Sequence, residues 1–268
     1  MILNAKNGSI PIGDTDMDYV SFGTGNDILL MIPGLGDGLS TVKGMAIPMS
    51  ITYQKFAKKY KVYVFSRKNH LEEGCSTETM ASDQAQAMKM LGIKKANVLG
   101  ISQGGMIAQY LAINYPELVE KLVLAVTSSK QNNLLQDAVE KWITMAKQKD
   151  YKSLMIDTAE KSYSEKYLSK YRLLYPVLGK IGKPKDVNRF LIQAKSCITH
   201  NAYWELGMIV CPTLIIGGEC DKIVGVEASK ELADKIKKSK LHIYNGLGHA
   251  AYEESKDFNK RILDFLSE

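Results

Sequence analysis

Long apolar runs are missing from this chain of 268 residues. Its best candidate, ILLMI at 28–32, is stopped at once by Pro33 and Gly34, far short of the ~20 residues that cross a bilayer. The opening MILNAKNGSIPIGD has no basic stretch leading into an apolar one, so no secretory leader is expected. Cysteine is scarce. Cys75, Cys197, Cys211 and Cys220 form no Cys-x-x-Cys pair and no spacing suited to zinc. Free buried thiols in a reducing compartment are the expectation. Histidine is equally scarce, at positions 70, 200, 242 and 249 only. Internal repeats and low-complexity tracts do not occur. These absences lead us to expect a cytoplasmic protein with no cofactor, no metal and no stable membrane insertion.

What is there is ordinary in bulk: 45% hydrophobic and 24% charged residues, enough for one large α/β domain or two small ones. The net charge of +6 is unevenly placed. Residues 128–207 hold 14 Lys and Arg against 8 Asp and Glu, while the remainder is balanced at 21 of each. No nucleic-acid motif accompanies that excess, so a solvated basic face is expected and nucleic acid is not a partner.

Short strand-like runs alternate with helical stretches. YVSF (19–22), ILLMI (28–32), KVYVFS (61–66), ANVLGI (96–101) and KLVLAV (121–126) read as strands. ITYQKFAKKY, STETMASDQAQAMKMLG and MIAQYLAINYPE lie between them. In the second, Met80, Ala87, Met88 and Leu91 recur at helical spacing behind a Ser76 or Thr77 cap. Strands apolar throughout and separated by helices imply a parallel sheet covered on both faces. From 128 to 207 no strand pattern appears. Three amphipathic faces do: Leu135, Val139, Trp142, Ile143 and Ala146; Tyr167, Leu168, Tyr171 and Leu174; and Phe190, Leu191, Ala194, Cys197 and Ile198, after Pro184 near a helix start. CPTLIIGG (211–218) and KLHIYNG (240–246) read as two more buried strands, with helices at 226–238 and 257–266.

The stretch NVLGISQGGMIAQYLA (97–112) packs three glycines around one serine with no room for a loop. A serine hydroxyl is a weak nucleophile and needs a base, an orienter for that base and a site for the oxyanion. A sharp strand-to-helix turn exposes it, and the residues two before and two after then have no space for side chains. Gly100 and Gly104 flank Ser102 in that way. By chance G-x-S-x-G arises in about one chain in ten of this length, so its position between a strand and a helix carries the weight.

His249 lies in NGLGHAAYEE, a glycine-rich loop just after the last strand, where parallel sheets build their sites. It is the expected base. His242 sits inside an apolar strand, His200 in the helical segment, and His70 has no acidic neighbour well placed. Asp221 directly follows the strand at 213–217 and is the expected orienting acid, with Glu219 its competitor. For the oxyanion, the N–H of Gln103 stands at a helix start. The N–H of Leu35, made approachable by Gly34, is the second candidate. A dinucleotide loop at Gly34 and Gly36 is discounted because Leu39 holds the place of the third glycine.

PGLGDG, GISQGG, GGECDKIV and GLGHA, in this order along nearly the whole chain, resemble the oxyanion loop, nucleophile elbow, acid turn and histidine loop of the α/β-hydrolase superfamily. The resemblance implies a doubly wound, mostly parallel eight-stranded sheet with an all-helical cap inserted after the sixth strand. Core at 1–127 and 208–268 and cap at 128–207 follow from it. It further implies acyl transfer to Ser102, base and acid work by His249, and water as second substrate. Many members carry His-Gly where this chain has Pro33-Gly34, so the anion loop is expected to be shaped differently. Substrate identity would then lie in the cap, among Trp142, Tyr151, Tyr163, Tyr167, Tyr171 and Tyr175. The leading expectation is a carboxylesterase for a small or medium ester. C–C bond, lactone or amide hydrolysis or acyl transfer by the same triad is the alternative, and a non-catalytic ligand-binding protein the third.

Overall fold

The computed structural model describes residues 2–175 and 186–268, the side chains of Ile2 and Leu174 excepted. Pro184 lies outside the described residues. Strands apolar on both sides need cover on both sides. β5 (Ala96–Ile101) and β7 (Thr213–Gly218) are buried at every position and stand inside the sheet. With β1 (Lys6–Ile12), β2 (Thr15–Phe22), β3 (Asp27–Ile32), β4 (Tyr60–Lys68), β6 (Val119–Ala125) and β8 (Ser239–Tyr244) they form one eight-stranded sheet in the order β1-β2-β4-β3-β5-β6-β7-β8. β2 pairs antiparallel with β1 and β4; every other pairing is parallel. β8, expected to be buried, has only Tyr244 buried because it is the sheet's edge.

Alternation along β3 shows the double cover. Leu30 and Ile32 point to a core shared with α3 (Thr77–Met90) and α4 (Gln103–Asn114), while Leu29 and Met31 face Phe56, Phe258 and Phe265 on the other side. Phe56 belongs to α2 (Gln54–Ala57), and Phe258 and Phe265 to the last helix, Phe258–Leu266. Ser76 caps α3 as expected, accepting the Thr79 N–H at 3.0 Å. The helix expected over 51–60 is instead two short ones, α1 (Ala46–Thr52) and α2, broken at Tyr53, whose backbone leaves the helical region at φ −103°, ψ 27°, and Tyr60 already belongs to β4. β1 was not foreseen. Gly8 and Pro11 weaken its strand signal, yet an edge strand tolerates a proline that donates no hydrogen bond.

Between β6 and β7 the described residues form α5 (Asn133–Lys147), α6 (Tyr151–Ser162), α7 (Glu165–Tyr171) and α8 (Val187–Thr199), with no strand. Leu135, Val139, Trp142, Phe190, Ala194 and Cys197 close a third core against Met106 of α4 and Ile223 beyond β7. The second expected face is weaker, since Leu168 is buried but Tyr171 is exposed. Of the basic residues described there, Lys141, Lys147, Lys149, Lys152, Lys166 and Lys170 are exposed, whereas Arg189 is buried. All four cysteines are free, but only Cys197 is buried and Cys220 is exposed. No helix among the described residues is long and apolar enough to cross a membrane.

His200 ends the helical segment in the interior. Its Nδ1 lies 2.8 Å from the Thr77 hydroxyl and its Nε2 3.4 Å from Gln109 Oε1. Burial pushes its pKa down to about 3. In the unfolded chain the ring takes a proton near pH 6.5, whereas in the folded chain it does not. Stability is therefore lost as pH falls from about 6.5 towards 3, by up to ~1.4 kcal/mol per pH unit. His200→Gln, which keeps polar contacts but cannot titrate, is expected to flatten the stability–pH curve between about pH 6 and 4 by that slope, read from urea unfolding.

Candidate active site

β5 ends at Ile101 and α4 begins at Gln103, so Ser102 alone makes the turn. Its backbone sits at φ 55°, ψ −120°, a region costing about 1–3 kcal/mol for a residue with a Cβ. Neighbours enforce it. A Cβ on Gly104 would lie 1.9 Å from the Ile32 carbonyl oxygen, and one on Gly100 would lie 2.5 Å from that of Gly104. Across the sheet, the Ser102 N–H donates to the Ala125 carbonyl at 2.9 Å, and the Thr127 hydroxyl donates to the Ser102 carbonyl at 2.7 Å. Thr127 was missed by sequence reasoning; its only signal was its place just past a strand end beside the elbow's strand.

His249 is buried, with Nε2 2.9 Å from Ser102 Oγ and Nδ1 2.8 Å from Asp221 Oδ2. A carboxylate can only accept, so Nδ1 carries the proton and Nε2 is left to accept from the serine hydroxyl. The other oxygen of Asp221 accepts the N–H groups of Ile223 and Val224 at 2.8 and 3.0 Å. Burial works to raise the pKa of Asp221, but the charge and hydrogen bond of His249 and the two N–H groups outweigh it, and the net shift is downward. Glu219 is turned elsewhere: exposed, it accepts the Gly246 N–H at 2.8 Å. His70 is exposed, and His242 stacks edge-on against Tyr244 in the edge strand β8.

Leu35 and Gln103 are the first residues of their helical turns, so neither N–H has an intrahelical acceptor. A Cβ on Gly34 would lie 3.3 Å from Ser102 Cβ, which sets the Leu35 loop directly against that serine. Pro33 has no N–H to offer, but its carbonyl accepts from Arg67 Nη2 at 2.6 Å, so the loop is held by its oxygen.

Ser102 and His249 open on a cavity of about 660 Å³ walled by Leu39, Met106, Val139, Trp142, Leu154 and Phe190 among others. No Lys or Arg lines it among the described residues. Of the tyrosines expected at a pocket, Tyr163 lines it, while Tyr163, Tyr167 and Tyr171 stack in a ladder with centroids 4.5 and 4.4 Å apart. The histidine loop is tied to the helical segment. Ala250 N–H donates to the Ser162 carbonyl at 2.8 Å, and Glu254 accepts the N–H and hydroxyl of Ser164 at 2.8 and 2.5 Å. These ties join residues nearly ninety positions apart in sequence and left no local signal.

The description of the alpha/beta hydrolase fold matches residues 27–256, and the chain belongs to that family. A 2-hydroxy-6-oxononadienedioate/2-hydroxy-6-oxononatrienedioate hydrolase from Pseudomonas sp is 24% identical over 279 residues, spanning 97% of this chain and 93% of its own length. Among solved structures, MGS-M2, an alpha/beta hydrolase from a Medee basin deep-sea metagenome library, aligns with a TM-score of 0.84 at 24% identity, covering 97% of this chain and 98% of its own. The enol-lactonase from Burkholderia xenovorans LB400 aligns with a TM-score of 0.83 at 18% identity, over 97% and 100%. The two structural likenesses speak for the fold alone.

Gly104→Ala drives a methyl group into the carbonyl that ends β3. We expect a loss of about 3 kcal/mol in chemical unfolding, more than an alanine elsewhere in α4 produces.

Proposed function

We propose that this protein is a serine hydrolase acting through an acyl-enzyme on Ser102, with a small or medium uncharged ester as substrate. The observation that carries the reading is the unbroken relay from Ser102 Oγ through His249 to Asp221, at 2.9 and 2.8 Å. Oγ attacks the carbonyl carbon as its proton passes to His249 Nε2. The carbonyl π pair moves to oxygen, where the Leu35 and Gln103 N–H groups receive it. Collapse expels the alcohol, which takes the proton back from His249. Water then repeats the sequence, releases the acid and restores Ser102.

Asp221 holds the imidazole tautomer and offsets the charge that forms on it. Residues 128–207 act as a cap over a core of 1–127 and 208–268, and their apolar wall favours an acyl chain over a charged one. C–C bond hydrolysis is a second reading. The substrate named for the Pseudomonas relative has carboxylates, an enol and a ketone but no ester, so its hydrolysis breaks a carbon–carbon bond. A dicarboxylate calls for cationic partners, and the described cavity wall presents none.

The test is a panel of p-nitrophenyl esters of rising acyl length, an enol lactone and a 6-oxo-dienedioate, run on wild type and Ser102→Ala. Ester turnover fastest for short to medium chains is expected. Ser102→Ala is expected to abolish fluorophosphonate labelling and lower kcat by at least about 10³-fold. Faster turnover of the dienedioate than of any ester would select the second reading. Asp221→Asn, which offers an N–H where Oδ2 stood and forces the other tautomer, is expected to lower kcat by about 10⁴-fold with KM little changed.

A further inference from the structure

A cluster of charge lies behind the two candidate anion donors, and no step of the proposed reaction uses it. Arg67, at the end of β4, is buried completely. Its Nη2 donates to the Pro33 carbonyl at 2.6 Å and to Gln103 Oε1 at 2.7 Å. Pro33 opens the loop that bears Leu35, and Gln103 is itself the other donor. One nitrogen thus joins both halves of the anion site. Asp37, in the same loop, receives through Oδ2 the Arg67 N–H at 3.1 Å and Arg189 Nη2 at 2.5 Å, and Arg67 Nη1 stands 3.7 Å away.

Arg189 extends the clamp into α8. It donates to the carbonyls of Lys68 at 2.9 Å, Arg67 at 3.0 Å and Asp37. From the other side, Gln103 Nε2 donates to the Gln193 carbonyl at 2.7 Å and Ser196 Oγ at 3.1 Å. Gly38 lets α8 approach, since a Cβ there would lie 2.9 Å from Phe190 Cα. Two guanidiniums face one carboxylate out of contact with water, which leaves one positive charge in excess. Burial lowers the pKa of Arg67 to about 10, against the pull of Asp37 and with the push of Arg189, so it remains protonated at neutral pH. A buried unpaired cation is costly unless negative charge develops near it, as it does on a tetrahedral oxyanion.

We propose that Arg67 is a positioning residue for acyl transfer. The two N–H groups of its Nη2 hold the Pro33–Leu35 loop and Gln103 in one register, and with Arg189 it sets a net positive charge behind the oxyanion. This rests on the serine-hydrolase reading above. Arginine is suited to it because the planar guanidinium fixes the two N–H directions of Nη2 on two acceptors, which a rotating lysine ammonium would hold less rigidly.

The experiment compares wild type, Arg67→Lys, Arg67→Met and Gln103→Met. It reads kcat and KM on p-nitrophenyl butyrate, affinity for an aryl trifluoromethyl ketone that forms a hemiketal oxyanion on serine, the pH profile, and thermal unfolding. We expect Arg67→Met to lower kcat and ketone affinity together by about 10²-fold, with KM within about threefold and the pH profile unshifted. Arg67→Lys, which keeps the charge and loses the fork, should recover about tenfold of that loss. Gln103→Met keeps the backbone N–H and removes one acceptor of Arg67, so it keeps the test alive if Arg67→Met does not fold. It should lower both quantities by about tenfold. Folded Arg67→Met, or Gln103→Met in its place, with kcat and ketone affinity unchanged overturns the proposal. So does a loss confined to KM. Wild type that labels with fluorophosphonate while the variants behave like it removes this proposal alone. Wild type that neither labels nor turns over removes the serine-hydrolase reading and this proposal with it.

Discussion

Gly104 has its Cα pressed against the carbonyls that end β3, and that contact sets the geometry around Ser102. A Cβ there would fall 1.9 Å from the Ile32 oxygen and 2.7 Å from the Pro33 oxygen, so α4 can start only where it does. The turn is left with a single residue, and its backbone is driven to positive φ. Sheet order makes this productive. β5 lies between β3 and β6, so the loop after β3 delivers Leu35 to one side of Ser102 and the loop after β6 delivers Thr127 to the other. The strain of one residue is held by contacts on both flanks and from below.

Much of this was legible in the sequence, for a definite reason. Ser102, Asp221 and His249 each follow an apolar strand and sit beside glycines, so strand ends and small residues mark all three within a few positions. The glycines at 100 and 104 were legible for the same reason. What stayed hidden depends on partners far along the chain. Arg67 meets Asp37 across 30 positions and Gln103 across 36, and Arg189 meets Asp37 across 152. Nothing local distinguishes those arginines from solvated ones. Gln103 was read for its N–H alone, while its side chain turned out to join α4, β4 and α8. β1 was hidden by its own Gly8 and Pro11, and its edge position is what accommodates the proline.

The basic excess of residues 128–207 and the character of the cavity point in different directions. Most of the described lysines face water, whereas the wall reached by Ser102 is largely Leu, Val, Met, Trp and Phe, with Asp37 and Glu253 its charged members among the described residues. Charge therefore tells little about the ligand here, and the apolar wall tells more. The two arginines nearest the site are turned away from the cavity and into the protein, where they hold backbone rather than a substrate carboxylate.

The bonds from Ser162 and Ser164 to the histidine loop make the helical segment a structural partner of His249. Ser162 donates nothing to chemistry, yet its carbonyl fills the space that Gly248 leaves empty and receives the Ala250 N–H. A foreign helical segment spliced between β6 and β7 would have to bring a backbone carbonyl to the same point, or the loop would lose the wall against which it is folded. Exchange of this segment between family members is thus not a free trade of pockets. It requires the splice to carry Gly248, Ala250 and Glu254 along with it, so that the two stretches behave as one heritable block although 83 residues lie between Ser164 and Gly248.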